Sequence, residues 1–327
     1  MIAVQAASER WELVEPFETA RESITHVPVL VTRLADSEGR RGWAEAAGVD
    51  YEGETPGSMA AQVDAIRPAL HDSLGGGELL RLMPAGGARN ALDCALWDLR
   101  AKQSGRPVWQ LAGLQQPQPV RTVYTIGLAE EDDFRRKLRA AAGYPWLKLK
   151  LDAERHVDLV RLAREIRPAA RLLVDANQGW SRTLLERLLP TLAALGVQLV
   201  EQPVPREQDD TLAGLRSPLP LAADESCTDR GSLPALVGRY QYINIKLDKS
   251  GGLTEALAMC AEARRLGLGL MVGNMCGTSL AMAPAFLVAQ QCEYVDLDGP
   301  LLQKLDRSPP IRFESGWMQP PQATLWG

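Results

Sequence analysis

Charged and amide side chains recur at nearly regular intervals in the last two thirds of this 327-residue sequence, each time after a short apolar run. The members of this series are Lys148, Lys150, Asp175, Asn177, Glu201, Asp224, Glu225, Lys246, Asp248, Asp296 and Asp298. Lysines and carboxylates can act as general acids and bases, and carboxylates also bind divalent cations. A single charge at a strand end is usually solvated, but Lys and Asp are poor strand formers and buried charges need partners. The repetition therefore favours one shared site.

Three carboxylates of the series, Asp175, Glu201 and Asp224, follow consecutive apolar runs. If those runs are neighbouring strands, the carboxylates converge, and without a cation each would raise the pKa of the others. Mg²⁺ prefers oxygen ligands and usually keeps open positions for water or substrate. We therefore predict that these residues bind one Mg²⁺ per subunit.

Two lysines flank the carboxylates: Lys150 comes one run before Asp175, and Lys246 comes one run after Asp224. A free lysine, with a pKa of about 10.4, is a poor base at neutral pH. A nearby positive charge lowers that pKa, and Lys148 is placed to supply one. Two bases on opposite sides of one carbon can remove a proton and return one to the other face. The pattern therefore predicts inversion of a carbon through an enolate.

Eight short apolar runs must position these residues. Their ends lie near Thr125, Lys150, Asp175, Glu201, Asp224, Lys246, Val272 and Asp296. Amphipathic segments separate them, so that residues 116–300 are predicted to form an α/β fold, a modified (β/α)7β TIM barrel whose strand ends build the site. A doubly wound open sheet is the alternative, but it normally carries a glycine-rich phosphate loop after its first strand, which YTIGLAEEDD lacks.

The first third of the sequence has a mixed pattern. Residues 27–34 and 42–46 are predicted to form a hairpin, and residues 86–103 a helix that ends before Gly105 and Pro107. The QQPQP stretch at 115–119 is typical of a linker. We therefore expect an α+β domain over residues 1–115.

Composition excludes several classes of protein. The 36 basic and 41 acidic residues leave a net charge of -5 and no basic face for nucleic acid. Three histidines are too few and too scattered for a histidine-rich metal site. The five cysteines form no C-x-x-C pair, no apolar run is long enough to span a membrane, and the N-terminus lacks a signal-peptide pattern. We therefore expect a cytoplasmic protein with reduced thiols and without nucleic-acid or membrane partners.

Five motifs occur in the order in which a known protein family carries them: K-x-K, D-x-N, E-Q-P, D-E-S and I-K-x-x-K-x-G-G. Together with ALDCALWDLRAKQSGRPV at 91–108, they resemble the enolase superfamily, specifically its muconate-lactonising-like branch, over nearly the whole chain. The resemblance implies that residues 1–115 are a capping domain on which the tail, residues 301–327, packs.

The resemblance also implies roles for individual residues. Lys150 and Lys246 would be the acid/base pair, and Lys148 would tune Lys150 or touch a substrate carboxylate. Asp175, Glu201 and Asp224 would bind Mg²⁺, with Asn177 and Glu225 supporting them, and Thr125 would contact substrate.

The last run carries the D-x-D pair Asp296 and Asp298, which resembles that of dipeptide epimerases, above all the L-Ala-D/L-Glu epimerases. In that group the pair binds the α-ammonium of the dipeptide, and a capping-loop arginine, here Arg21, meets the side-chain carboxylate of Glu. The implied setting is recycling of murein peptides, and a homo-oligomer is compatible with the family. The loop VGNMCGTS departs from relatives that carry an acidic residue there.

Two other functions remain open at this stage. Another enzyme of the branch, such as o-succinylbenzoate synthase, N-acylamino acid racemase or a cycloisomerase, would leave Asp296 and Asp298 unexplained because its substrate has no free ammonium. A non-catalytic metabolite-binding barrel would not explain why the two lysines and three carboxylates occur together.

Overall fold

The capping domain begins with a three-stranded antiparallel sheet, seen here in a computed structural model that describes residues 2–19 and 23–327. The strands are β1 (Ala3–Glu18), β2 (Ser23–Ala35) and β3 (Arg41–Ala46), in the order β1-β2-β3. Leu30 of β2 pairs with Ala46 of β3, which confirms the predicted hairpin.

Four α-helices follow the sheet in the described part of this domain. They are α1 (Pro56–Ala65), α2 (Gly76–Leu82), α3 (Gly87–Ser104) and α4 (Val108–Leu111). Helix α3, predicted over 86–103, ends at Gly105, whose φ of 66° is the left-handed conformation that glycine adopts readily. Helix α3 packs closely against β3, as the space around Gly42 of β3 shows. A Cβ added to Gly42 would lie 2.4 Å from the carbonyl oxygen of Ala95 in α3.

A second, larger sheet follows the short strand β4 (Val120–Arg121). Its strands are β5 (Tyr124–Ile126), β6 (Trp146–Lys150), β7 (Arg171–Asp175), β8 (Val197–Glu201), β9 (Leu221–Ala223), β10 (Tyr242–Ile245), β11 (Gly269–Val272) and β12 (Tyr294–Val295). All neighbours in the sheet are parallel and follow chain order. The backbone N–H of Val123 donates to the carbonyl of Val295 at 2.9 Å and links the two edges. The predicted modified TIM barrel is thereby confirmed.

The connections between these strands are mostly helical. Their helices are α5 (Glu131–Ala140), α6 (His156–Ile166), α7 (Arg182–Ala194), α8 (Leu233–Leu236), α9 (Leu247–Ser250), α10 (Leu253–Arg265) and α11 (Ser279–Ala289). The expectation of an α-helix in every connection was wrong for the one between β8 and β9, which forms a 3-10 helix over Arg206–Leu212. Proline removes a helical donor and restricts the residue before it, and this connection contains Pro203, Pro205, Pro218 and Pro220.

The C-terminal tail runs from the barrel back to the capping domain. Its strand β13 (Phe313–Glu314) pairs with β14 (Trp317–Met318), and β14 pairs with β4. Further on, the indole of Trp43 donates to the carbonyl of Leu325 at 2.6 Å, and that of Trp326 donates to the carbonyl of Cys94 at 3.1 Å. The tail therefore contacts β3 and α3 of the capping domain.

Within the part of the chain that the structure describes, no helix is both long and apolar enough to cross a membrane. All five cysteines are free thiols.

Candidate active site

Five residues of the predicted site lie at the ends of five consecutive barrel strands. Lys150, Asp175 and Glu201 are the last residues of β6, β7 and β8, while Asp224 and Lys246 directly follow β9 and β10. Lys150 pairs in register with Asp175, and Asp175 with Glu201. Because the strands are parallel, all five residues lie at the same mouth of the barrel.

The three carboxylates converge at this mouth. One oxygen each from Asp175, Glu201 and Asp224 lies within 4.8 Å of the others, and the residues are at most 2% exposed. Burial and the charge of Asp175 raise the pKa of Glu201 to about 8. Burial also opposes ionisation of Asp224, but ion pairs with Lys246 and Lys249 outweigh it and lower the pKa of this carboxyl.

The carboxylate cluster fits a divalent cation. Oε2 of Glu201 forms an ion pair with Nζ of Lys148 at 2.7 Å, and a carboxylate oxygen has a second lone pair for a further partner. The other oxygen, Oε1, accepts a hydrogen bond from Nδ2 of Asn244 at 2.9 Å, which fixes the carboxylate in place. An all-oxygen ligand set with this spacing is what Mg²⁺ prefers.

The two proposed acid/base lysines approach the carboxylates from opposite sides. Nζ of Lys150 donates to Asp175 at 2.6 Å, and Nζ of Lys246 donates to Asp224 at 2.7 Å. Strands β7, β8 and β9 lie between the strands that carry them. Burial lowers the pKa of Lys246, but Asp224 outweighs burial and the pKa lies above that of a free lysine.

Lys148 lies among three carboxylates of the site, and it shares Oδ2 of Asp175 with Lys150. Its ammonium lies 2.7 Å from Asp296, 2.7 Å from Glu201 and 3.0 Å from Asp175. Burial lowers its pKa, but these carboxylates reverse the shift and hold the pKa well above the usual value. Lys148 is thus a fixed positive charge within the carboxylate cluster.

Sequence reasoning missed two further residues of this cluster, Lys249 and Asn244. Nζ of Lys249 donates to Oδ1 of Asp224 at 2.6 Å, because the short helix α9 turns the chain and returns this side chain to the site. Asn244 lies two residues before Lys246 on β10 and is fully buried. A polar residue between two isoleucines, two positions from a site lysine, was the available signal.

Asp296 and Asp298 follow β12 and lie beside Thr125 of β5. The backbone N–H of Thr125 donates to Oδ2 of Asp298 at 2.6 Å, and its hydroxyl donates to Asp296 at 3.5 Å. Burial and the charge of Asp296 raise the pKa of Asp298 to about 7. A cation placed here would therefore favour the ionised pair.

Asn177 and Glu225 lie near the carboxylates but differ in surroundings. The backbone N–H of Asn177 donates to Oδ1 of Asp175 at 2.9 Å, and Asn177 also lines the central cavity. Glu225 is buried and lines a separate cleft with Asp209 and Arg239. The backbone of Asn177 thus supports a carboxylate of the proposed metal site.

A cavity of about 410 Å³ lies between the barrel mouth and the capping domain. Lys150, Lys246 and Asn177 form its floor, and residues of β1, β2 and the segment 47–56 form its walls. Its size suits a small molecule. The predicted contact of Arg21 lies outside the described residues.

Two family models match the chain. Residues 1–113 match the N-terminal domain of mandelate racemase and muconate lactonizing enzyme, and residues 132–324 match an enolase C-terminal domain-like model. The matched segments correspond to the cap and the barrel.

Individual relatives agree with this result. The chain is 41% identical to the L-Ala-D/L-Glu epimerase of Escherichia coli (strain K12) over 318 residues, which covers 97% of this chain and 99% of that protein. It is 40% identical to the N-acetyl-D-glutamate racemase of a Pseudoalteromonas species over 301 residues, covering 91% and 95%. A crystal structure of an enolase family member from Agrobacterium tumefaciens, with bound sodium and L-Ala-L-Glu, matches with a TM-score of 0.96 and 42% identity over all of both chains. The chain therefore belongs to the mandelate racemase and muconate lactonizing enzyme family, with an enolase C-terminal domain-like barrel.

Proposed function

We propose that this protein is an isomerase, a Mg²⁺-dependent dipeptide epimerase that inverts the Glu α-carbon of L-Ala-D/L-Glu. The observation that carries the proposal is the pair Lys150 and Lys246, which reach one cavity from opposite sides of a carboxylate cluster. Inversion needs an acid/base group on each face of the reacting carbon, and this arrangement supplies two. The similarity to an L-Ala-D/L-Glu epimerase over nearly the full length of both chains supports the same substrate class.

In the proposed mechanism the two lysines exchange roles with the direction of the reaction. For one epimer Lys150 removes the α-proton and the ammonium of Lys246 delivers a proton to the opposite face; for the other epimer the roles are reversed. Asp175, Glu201 and Asp224 would hold Mg²⁺, which would stabilise negative charge on the substrate's α-carboxylate oxygens. Lys148 keeps its positive charge and offsets the excess of carboxylates.

The acidic pair Asp296 and Asp298 is proposed to bind the α-ammonium of the first residue of the dipeptide. Both are buried at the barrel mouth, and burial together with the charge of Asp296 raises the pKa of Asp298. Arg21 is proposed to meet the side-chain carboxylate of Glu. Thr125 positions Asp298 through its backbone N–H.

The decisive experiment is incubation of L-Ala-D-Glu and L-Ala-L-Glu with the protein and Mg²⁺ in D₂O. Deuterium should enter the Glu α-carbon and both epimers should form from either starting material, as NMR and chiral chromatography would show. Absence of both exchange and epimerisation with an active-site metal bound would refute the proposal.

A second candidate, racemisation of N-acetylglutamate, is favoured by the 40% identity to an N-acetyl-D-glutamate racemase. Both substrates carry Glu with an acylated nitrogen, but the acyl group is alanyl with a free α-ammonium in the dipeptide and acetyl without one in N-acetylglutamate. The reacting groups would be the same two lysines. A substitution in the pair Asp296 and Asp298 can therefore distinguish dipeptide epimerisation from N-acetylglutamate racemisation.

Replacing Asp298 by Asn should lower kcat/KM for L-Ala-D-Glu by about 10- to 100-fold, since a hydrogen bond to a charged group contributes about 1.5–3 kcal/mol. The amide keeps the acceptor for the N–H of Thr125 but loses the charge that attracts ammonium. Turnover of N-acetyl-D-glutamate, measured in parallel, should change little. Equal losses for both substrates would argue that Asp298 has no ammonium-binding role.

The wider setting stays a prediction. Murein peptide recycling, a cytoplasmic location, a homo-oligomeric state and the lack of a nucleic-acid partner rest on the family resemblance and on composition.

A further inference from the structure

The loop that carries Lys246 is bound tightly by helix α3 of the capping domain. Arg89 of α3 is 5% exposed and donates to the carbonyls of Ser250 at 2.7 Å and Gly251 at 3.1 Å. These are the last residue of α9 and the residue after it. The guanidinium thus binds the C-terminal end of the short helix that starts directly after Lys246.

A carboxylate of α3 binds the start of the next helix. Oδ2 of Asp93 accepts a hydrogen bond from the backbone N–H of Thr254 at 2.9 Å, and Oδ1 accepts one from the Thr254 hydroxyl at 2.6 Å. Thr254 lies in the first turn of α10, whose own N-cap residue, Gly252, supplies no side chain. Asp93 therefore performs from another domain the task that a capping side chain normally has.

The chain between these two anchors has no room to shift toward α3. Gly251 and Gly252 have φ values of 72° and 114°, and a Cβ on them would lie 2.4 Å from Nε of Arg89 and 2.6 Å from Cβ of Asp93. Arg89 and Asp93 are four residues apart and so lie on one face of α3. The helix fixes the loop on both sides of the glycine pair.

The rigid loop leads directly to Lys246. The backbone carbonyl of Lys246 accepts hydrogen bonds from the N–H groups of Lys249 at 3.0 Å and Ser250 at 2.9 Å. A displacement of Ser250 would therefore be passed through one helical turn to the lysine. Lys150 has no such tie to α3 in the described contacts, since it ends β6 on the other side of the carboxylate cluster.

We infer that Arg89 and Asp93 of the capping domain are positioning residues for Lys246, so that α3 controls proton transfer at one face of the substrate and not at the other. The inference rests on the proposed two-lysine epimerisation and extends it. Catalytic proton transfer is sensitive to small displacements, and a misplacement of about 1 Å can cost about 100-fold in rate.

The test compares Asp93→Asn and Arg89→Lys with the unaltered enzyme in D₂O with Mg²⁺, starting separately from L-Ala-L-Glu and L-Ala-D-Glu. Asn at position 93 removes one of two acceptors, and Lys at position 89 cannot reach both carbonyls. For the epimer whose α-hydrogen faces Lys150, Lys150 still removes the α-proton, but delivery of a proton from Lys246 to the opposite face is impaired. The ratio of α-exchange with retention to epimerisation should then rise about tenfold for this epimer alone.

Asp98→Asn is the matched control. Asp98 is a fully buried carboxylate of the same helix, but it accepts from the N–H groups of Trp43 at 3.0 Å and Gly327 at 2.6 Å, away from the Lys246 loop. It should leave the exchange ratio of both epimers unchanged even if it lowers the melting temperature. If Asp93→Asn fails to fold, Thr254→Val should shift the ratio in the same direction by a smaller amount, because it removes the hydroxyl that donates to Asp93 and accepts from the indole of Trp97 but keeps the backbone N–H bond to Asp93.

Two outcomes are distinguishable. An unaltered enzyme that neither exchanges nor epimerises would refute the proposed function. An active enzyme whose folded variants lose rate with the same exchange ratio for both epimers, or shift the ratio for both equally, would overturn the positioning role.

Discussion

Replacing Lys246 by Met is expected to reduce epimerisation of L-Ala-D/L-Glu by about 10³-fold in both directions, within the range for loss of a general acid or base. Both directions fail because the lysine is needed as the base for one epimer and as the acid for the other. Lys150→Met should have the same effect. The loss is measured as the initial rate of epimerisation from each epimer, which chiral chromatography follows.

The two variants should differ in isotope exchange. In Lys246→Met, the epimer whose α-hydrogen faces Lys150 should still exchange with D₂O, whereas the other epimer should be inert. In Lys150→Met the opposite result is expected: the epimer whose α-hydrogen faces Lys246 should still exchange, and the epimer whose α-hydrogen faces Lys150 should be inert. Lys102→Met is a suitable control, because Lys102 also pairs with a buried carboxylate, Asp98, but lies outside the cavity. Equal exchange of both epimers in either variant would contradict a one-lysine-per-face mechanism.

Replacing Glu201 by Gln is expected to remove Mg²⁺ binding and to lower kcat/KM by about 10³-fold, because the cation's electrostatic contribution amounts to several kcal/mol. Gln keeps the size of Glu201 and an oxygen that can accept from Asn244. The substitution should therefore leave the fold intact while it removes the charge of one proposed ligand.

Calorimetry and thermal unfolding with and without Mg²⁺ test this prediction. Mg²⁺ at 100 times its Kd should stabilise the unaltered protein by about 2.7 kcal/mol and the variant by much less. Glu207→Gln, a change at an exposed site outside the cluster, should retain the full effect. A variant that binds Mg²⁺ as tightly as the unaltered protein would exclude Glu201 as a ligand.

Much of the fold could be predicted because the barrel is built from a local repeat. Each strand is a short apolar run, and a residue such as Asp175 that ends its run also ends its strand in the structure. Parallel strands then place such residues at one mouth without further information. The exception was the connection between β8 and β9, where the repeat period suggested an α-helix and the chain forms a 3-10 helix between flanking prolines.

The partners of the site residues could not be predicted in the same way. Lys148 was expected to tune Lys150 or to touch a substrate carboxylate, and spacing along the strand did not indicate that its nearest charges are Glu201 and Asp296. Lys249 was not assigned to the site, because its return depends on the turn of α9. Neither contact follows from spacing along one strand.

The sequence by itself therefore determined the chemical groups at the barrel mouth and their order around it, since both follow from periodicity and residue type. Only the tertiary structure decided which charged residues pair with one another and which residues of the capping domain hold the loop after Lys246. Arg89 and Ser250 illustrate the reason: they are 161 residues apart, and their 2.7 Å contact exists only because two separately formed domains pack together. Local patterns carry no information about such a distance, whereas packing fixes it.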